Sequence, residues 1–178
     1  MSSEISRLFD FPYFAHKKYN LDNALVTKYE NKWVSTSSGD YIAKANTISR
    51  ALLRLGVKTN DKIAVISSTN RTEWNIMDIG ILQTGAQNVP IYPTISKEDY
   101  EYVLNHSESI YCFVSDISIV EKINKIKGNT KLKEVYTFDE ISDEKNWKEL
   151  LELGKDTSNQ IPFCNRNKIW IYHFCRCI

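Results

Sequence analysis

The chain has 178 residues, 42% of them apolar and 25% charged, with a net charge of +1. This is enough for one domain with a hydrophobic core, and the composition excludes a disordered or fibrous chain. Acidic and basic residues are interleaved without a basic stripe, so nucleic acid is excluded as the main partner. The first residues, interrupted by Glu4 and Asp10, offer no signal-peptide core. No uninterrupted apolar stretch is long enough to span a bilayer, which leaves only peripheral membrane contact. The cytosol is the expected compartment, and the four cysteines agree with it: three crowd the C-terminal end rather than bracing the whole fold.

In chain order, residues 24–30 and 32–36 predict two strands of a hairpin around Asn31, rich in Val, Thr, Tyr and Trp. Ser38 is the expected cap of a helix with Tyr41, Ala45, Ile48, Leu52 and Leu55 at helical spacing, ended by Gly56. Residues 62–67 read as a buried strand. A helix over 71–84 is apolar on nearly all sides, so Trp74 is expected to be buried between helix and sheet. A strand over 88–92 stops at Pro93. Ser96 and Asp99 form a capping box for the next helix. A strand over 110–114 follows, then a helix capped by Asp116 with Ile119, Val120, Ile123 and Ile126 on one face. A strand over 134–138 and a short helix over 146–153 complete the pattern. Repeated strand–helix–strand units predict an α/β fold: a mostly parallel sheet with helices on both faces.

Three segments carry a family resemblance: Ile63-Ala-Val-Ile-Ser-Ser-Thr-Asn-Arg-Thr-Glu-Trp74, Gly85-Ala-Gln-Asn-Val-Pro-Ile-Tyr-Pro-Thr94 and Tyr102-Val-Leu-Asn-His-Ser-Glu108. Their order and spacing resemble the N-terminal subdomain of the adenylate-forming acyl-CoA synthetases, specifically the long-chain fatty acid–CoA ligases. The resemblance runs from about Arg7 to Asn159. It implies activation of a long-chain fatty acid by ATP to an acyl-adenylate, then transfer to coenzyme A, with Mg²⁺ neutralising phosphate charge. In the family, phosphate is handled by a Thr/Ser/Gly-rich loop ending in Pro-Lys-Gly. A Glu for Mg²⁺, an Asp for ribose and a lysine on a mobile domain come later. None of these segments is found in this sequence. Residues 1–160 are therefore read as the N-terminal part of an AMP-binding domain, inactive alone. Residues 161–178 are read as an atypical tail from a shifted frame or a deletion junction. The rival readings are a non-catalytic α/β binding module and a remnant subunit completed by a separate chain; the Gly-rich dinucleotide fingerprint is absent.

Several residues invite a chemical role. Ser68, Asn70 and Arg71 lie where a parallel strand ends and a helix begins, the usual ligand side of such sheets, and Tyr92 and Thr94 end a strand on the same side. Pairing of Arg71 with Glu73 or Asp78 is the simpler reading. Ser35-Thr36-Ser37-Ser38-Gly39 imitates a phosphate loop, but a helix cap explains it. His106, late in a helix, suits the helix dipole rather than catalysis. Cys164, His173, Cys175 and Cys177 are the right ligand types for zinc at the wrong spacing. No catalytic or metal residue is assigned. With family segments missing, an apolar sheet face or strand edge is expected to lie bare and to drive self-association.

Overall fold

Short segments of four or five residues, mainly apolar in the two central strands and mixed in the outer two, supply the strands of the central sheet. The fold comes from a computed structural model, which describes residues 5–156. β1 (Leu25–Tyr29) and β2 (Lys32–Thr36) form an antiparallel hairpin, turned through Glu30 and Asn31 at positive φ. Then come α2 (Ser38–Arg54), β3 (Lys62–Ile66), α3 (Thr72–Gln83), β4 (Gln87–Ile91) and α4 (Lys97–Ser107). β5 (Tyr111–Val114), α5 (Ile117–Ile126), β6 (Glu134–Thr137) and α6 (Lys148–Leu153) follow. The four later strands pair in parallel in the order β4-β3-β5-β6, with Ile63 opposite both Asn88 and Tyr111, and Tyr111 opposite Glu134.

Because neighbouring strand residues point to opposite faces, Ile63, Val65 and Phe113 face one layer and Ala64, Ile66, Cys112 and Val114 the other. The first layer is Ile48 and Leu52 of α2, Ile76, Met77 and Ile81 of α3, and Leu150 of α6. The second is Tyr100 and Leu104 of α4 with Ile119, Val120 and Ile123 of α5. The expected α/β fold with helices on both faces is what forms. The expected bare sheet face is not: both faces are covered. The edges are blunted as well, β4 by Pro90, which has no N–H, and β6 by residues 145–147, which bond to Thr137.

Local differences from the expected elements each have a cause. Ser37, not Ser38, caps α2: its Oγ accepts from the Asp40 N–H (3.0 Å), while Ser38 turns inward to Nδ1 of His16 (2.8 Å). α1 (Phe11–Tyr19) was not anticipated, since Pro12 and four aromatics conceal its period, although proline is tolerated in a first turn. Trp74, in the first turn of α3, packs against the rim of the core and is only partly buried. The apolar roundness of α3 has another outlet: Ile79 meets Phe9 and Ala45 away from the sheet. α2 and α3 also approach closely, for a Cβ on Gly80 would stand 2.7 Å from Cγ2 of Ile48.

Candidate functional site

In this strand order β3 is flanked by the two strands that follow it, β4 on one side and β5 on the other. The carboxyl ends of β3 and β5 therefore border the crevice where open α/β sheets usually bind ligands. The segments entering it are Ser67–Arg71 after β3, Ser115–Asp116 after β5 and Phe138–Asp139 after β6, with the hairpin lying over them.

Arg71 is the centre of this edge. Its side chain is 8% exposed and makes an ion pair with Glu73 through Nε (3.1 Å) and Nη2 (3.2 Å). Nη2 also meets Asp139 (2.9 Å), and Nη1 donates to the Ser115 carbonyl (3.4 Å). Its guanidinium stands over the rings of Phe138 (5.4 Å) and Tyr29 (5.9 Å). Burial works against the charge, but Glu73 and Asp139 outweigh it and hold Arg71 protonated above its usual range. Burial likewise pushes Glu73 up, and Arg71 with Tyr29 pulls it below the usual carboxylate range. The Tyr29 hydroxyl donates to Glu73 (2.6 Å) and is itself pushed up to about 12, by burial first and then by that carboxylate.

The second cluster surrounds Asp116. Its carboxylate caps α5 by accepting from the Ser118 and Ile119 N–H groups and takes the hydroxyls of Ser115 (2.6 Å), Ser68 (2.7 Å) and Ser118 (2.6 Å). Partial burial alone would raise it; the three serines more than offset that and leave it at about 2. The Ser68 N–H donates to Ser115 Oγ (2.9 Å), closing the β3 end onto the β5 end. At α3, where Arg71 provides no side-chain cap, the first amide is instead taken by Oγ1 of Thr27 (2.9 Å), from the hairpin.

A nucleotide phosphate needs unengaged N–H donors and cations. Here the guanidinium is spent on two carboxylates, the α5 N-terminus holds a carboxylate of its own, and the α3 N-terminus is capped from β1. The one guanidinium of this edge and the first amide of α3 are thus already engaged. Among the described residues no group of three or more His, Cys, Asp or Glu side chains is placed to hold a metal ion.

The structure brings Ser68 and Arg71 together, with Asp116 between the strand ends they follow. Asn70 is exposed in the same turn, Tyr92 is 69% exposed just past β4, and Thr94 is exposed two residues on. Arg71 pairs with Glu73 as expected, but its other partner is Asp139; Asp78 instead accepts from Asn88 Nδ2 (2.8 Å). Ser35 and Thr36 end β2, and Ser37-Ser38 forms the start of α2 rather than a loop open to an anion. His106 sits in the last turn of α4, stacked on Tyr102. Cys164, His173, Cys175 and Cys177 lie outside the described residues. Asp139, Ser115 and Tyr29 were not foreseen at the site; the readable signal was that each follows or ends a strand.

A family model described as AMP-binding enzyme matches residues 15–168. The chain is 30% identical over 117 residues to the long-chain-fatty-acid–CoA ligase FadD15 of Mycobacterium bovis, covering 65% of this chain and 19% of that protein. It is 34% identical over 110 residues to fatty acyl-CoA synthetase A of Dictyostelium discoideum, covering 62% and 16%. It thus spans about a fifth of the length of the curated relatives it matches. Among solved structures, a long-chain-fatty-acid–CoA ligase (FadD1) from Archaeoglobus fulgidus superposes with a TM-score of 0.73 at 19% identity, over 89% of this chain and 32% of that one. The anthranilate CoA ligase AuaEII, in complex with anthranoyl-AMP, gives 0.68 at 19%, over 81% and 26%. At these identities the superpositions speak for the fold alone.

Proposed function

The chain belongs to the AMP-binding enzyme family, and from that premise we propose that its described residues are the framework subdomain of a long-chain fatty acid–CoA ligase. In this reading ATP, Mg²⁺ and coenzyme A are the co-substrates of the whole enzyme and a long-chain fatty acid its substrate. Residues 1–160 form the framework, and 161–178 are a tail of different origin. The 178-residue polypeptide then neither binds nucleotide productively nor turns it over alone. The observation that supports this is the pairing at the strand ends, where Arg71 is held by Glu73 and Asp139, Ser68 by Asp116, and Ser115 joins the two clusters. Ser68 and Arg71 brace the edge, and Asn70, Tyr92 and Thr94 keep open surface. A cytosolic location belongs to the same proposal, since ATP and coenzyme A are drawn from there.

Two experiments test it together. In the first, the chain is incubated with palmitate, ATP, Mg²⁺ and coenzyme A, and AMP release and hydroxamate-trapped acyl-adenylate are followed; no product above buffer is expected. ATP-dependent turnover would overturn the framework reading. In the second, residues 15–156 replace the matched segment of the mycobacterial ligase. Retained acyl-CoA formation is expected, and a folded but inactive chimera would count against the assignment.

Self-association, expected at first from a bare sheet, now rests on the hairpin. Its two outer strand edges have no partner strand among the described residues, and Trp33, 71% exposed, shares one face of the hairpin with Val26. Light scattering in reductant should show association that Trp33→Ser lowers; an unchanged mass would remove the hairpin from the account.

A further inference from the structure

No residue of α1 is buried, yet it carries Phe11, 51% exposed, Phe14, 37% exposed, and Tyr19 at its end. Phe11, Phe14 and Lys18 fall at i, i+3 and i+7 and so share one stripe, with Lys17 beside it. Nζ of Lys18 lies 5.7 Å from the Phe14 ring and 5.0 Å from that of Tyr19. The opposite side of the helix is anchored: the Tyr13 hydroxyl donates to Asn46 (2.5 Å), and His16 is bonded to Ser38. The aromatic stripe therefore faces outward because the helix is fixed that way. Within Phe11–Tyr19 there is no acidic side chain, and Asp10 just ahead is held by Arg7 (2.8 Å).

We propose that this face is a docking surface for an anionic phospholipid membrane. Aromatic rings on one stripe suit the boundary between headgroups and acyl chains. Lys18, whose ammonium stands beside the Phe14 and Tyr19 rings, and Lys17 next to it then meet the lipid phosphates. A second copy of the chain is a poorer occupant, because two such faces would bring Lys17 and Lys18 against their own kind. No helix among the described residues is long and apolar enough to cross a membrane, so the contact is peripheral. The inference does not depend on the ligase reading.

The test uses the whole chain and vesicles of phosphatidylcholine alone or mixed equally with phosphatidylglycerol, with binding read by flotation. Binding to the mixed vesicles is expected, roughly tenfold or more weaker on neutral vesicles and weakened again by salt. Phe14→Ser and the double variant Lys17→Glu/Lys18→Glu, both at exposed positions, should each lower binding roughly tenfold or more, with the melting point unchanged. Lys125→Glu/Lys133→Glu makes the same change of net charge elsewhere and should bind like the parent chain. No vesicle binding, unchanged binding by the α1 variants, or an equal loss in the control pair would each overturn the proposal. So would a parent oligomer that the α1 variants dissociate, which would make the occupant a second copy.

Discussion

Asp116 shows how one side chain can hold two strand ends and a helix at once. Its unfolded pKa is about 3.9, well above the value of about 2 in the fold, so its charge stabilises the native state above pH ~4. That contribution is lost as pH falls from ~4 toward 2. Since Asp116 keeps surface in water, the share at stake is about 1 kcal/mol rather than what the full shift would imply. Asp116→Asn keeps a good helix cap and should flatten the stability curve between pH 4 and 2 by that amount, measured by urea unfolding. A curve parallel to that of the parent chain would show that the charge does not matter. Arg71→Met should be far costlier, about 3–5 kcal/mol, because it leaves Glu73 buried without its cation. Sequence indicated that Asp116 caps a helix and that Arg71 pairs with Glu73 or Asp78, of which the structure selects Glu73, since those partners are local. It could not show Asp139 or Tyr29, which reach Arg71 only through the sheet order and the hairpin's resting place.

At the scale of elements, the hairpin and α6 are held by contacts distant in sequence. Thr27 of β1 caps α3, and Arg50 of α2 donates to the Gly154 carbonyl (2.7 Å) at the end of α6. Gly154 fits because it lacks a side chain: a Cβ there would stand 2.0 Å from the Thr47 carbonyl oxygen. Gly154→Ala should therefore cost about 1–3 kcal/mol in thermal or urea unfolding, through displacement of α6. Gly128→Ala, where a Cβ meets nothing within 4 Å, is the neutral control. Equal stability of the two variants would contradict the close approach. The rank of aromatic truncations also changes. Phe113, fully buried and stacked on Tyr136 at 5.3 Å, should lose about 3–5 kcal/mol as alanine, and Trp74 distinctly less. The strands and the four longer helices of the sheet layers were legible from their periods. α1 was not, because its apolar residues face outward and no buried stripe marks it.

For the whole molecule, the parallel order and the covering of both sheet faces follow from alternating strands and helices, which is why the fold class was readable. Closure was not. The matched stretch spans about a fifth of the curated relative, and the family segments not found in the sequence suggested a bare face. The actual cover comes from α2, α3 and α6 on one face and from α4 and α5 on the other. Dye binding tests this: the described core, with its strands Ile63–Ile66 and Tyr111–Val114 buried, should take up little hydrophobic dye in reductant, and Leu150→Asp should raise uptake by uncovering α2. Strong uptake by the parent chain, unaltered by Leu150→Asp, would mean that the sheet is not closed as described.

The reach from Arg50 to Gly154 also sets an order of events during synthesis. A ribosome that has released β3, α3 and β4 has a sheet with one flank of α2 still uncovered, and it stays so until the 62 residues from Tyr92 to Leu153 have followed. Translation pauses between β6 and α6 would prolong that exposure, whereas pauses within the hairpin would not. The nascent chain is therefore most open to capture by chaperones just before its last described helix docks.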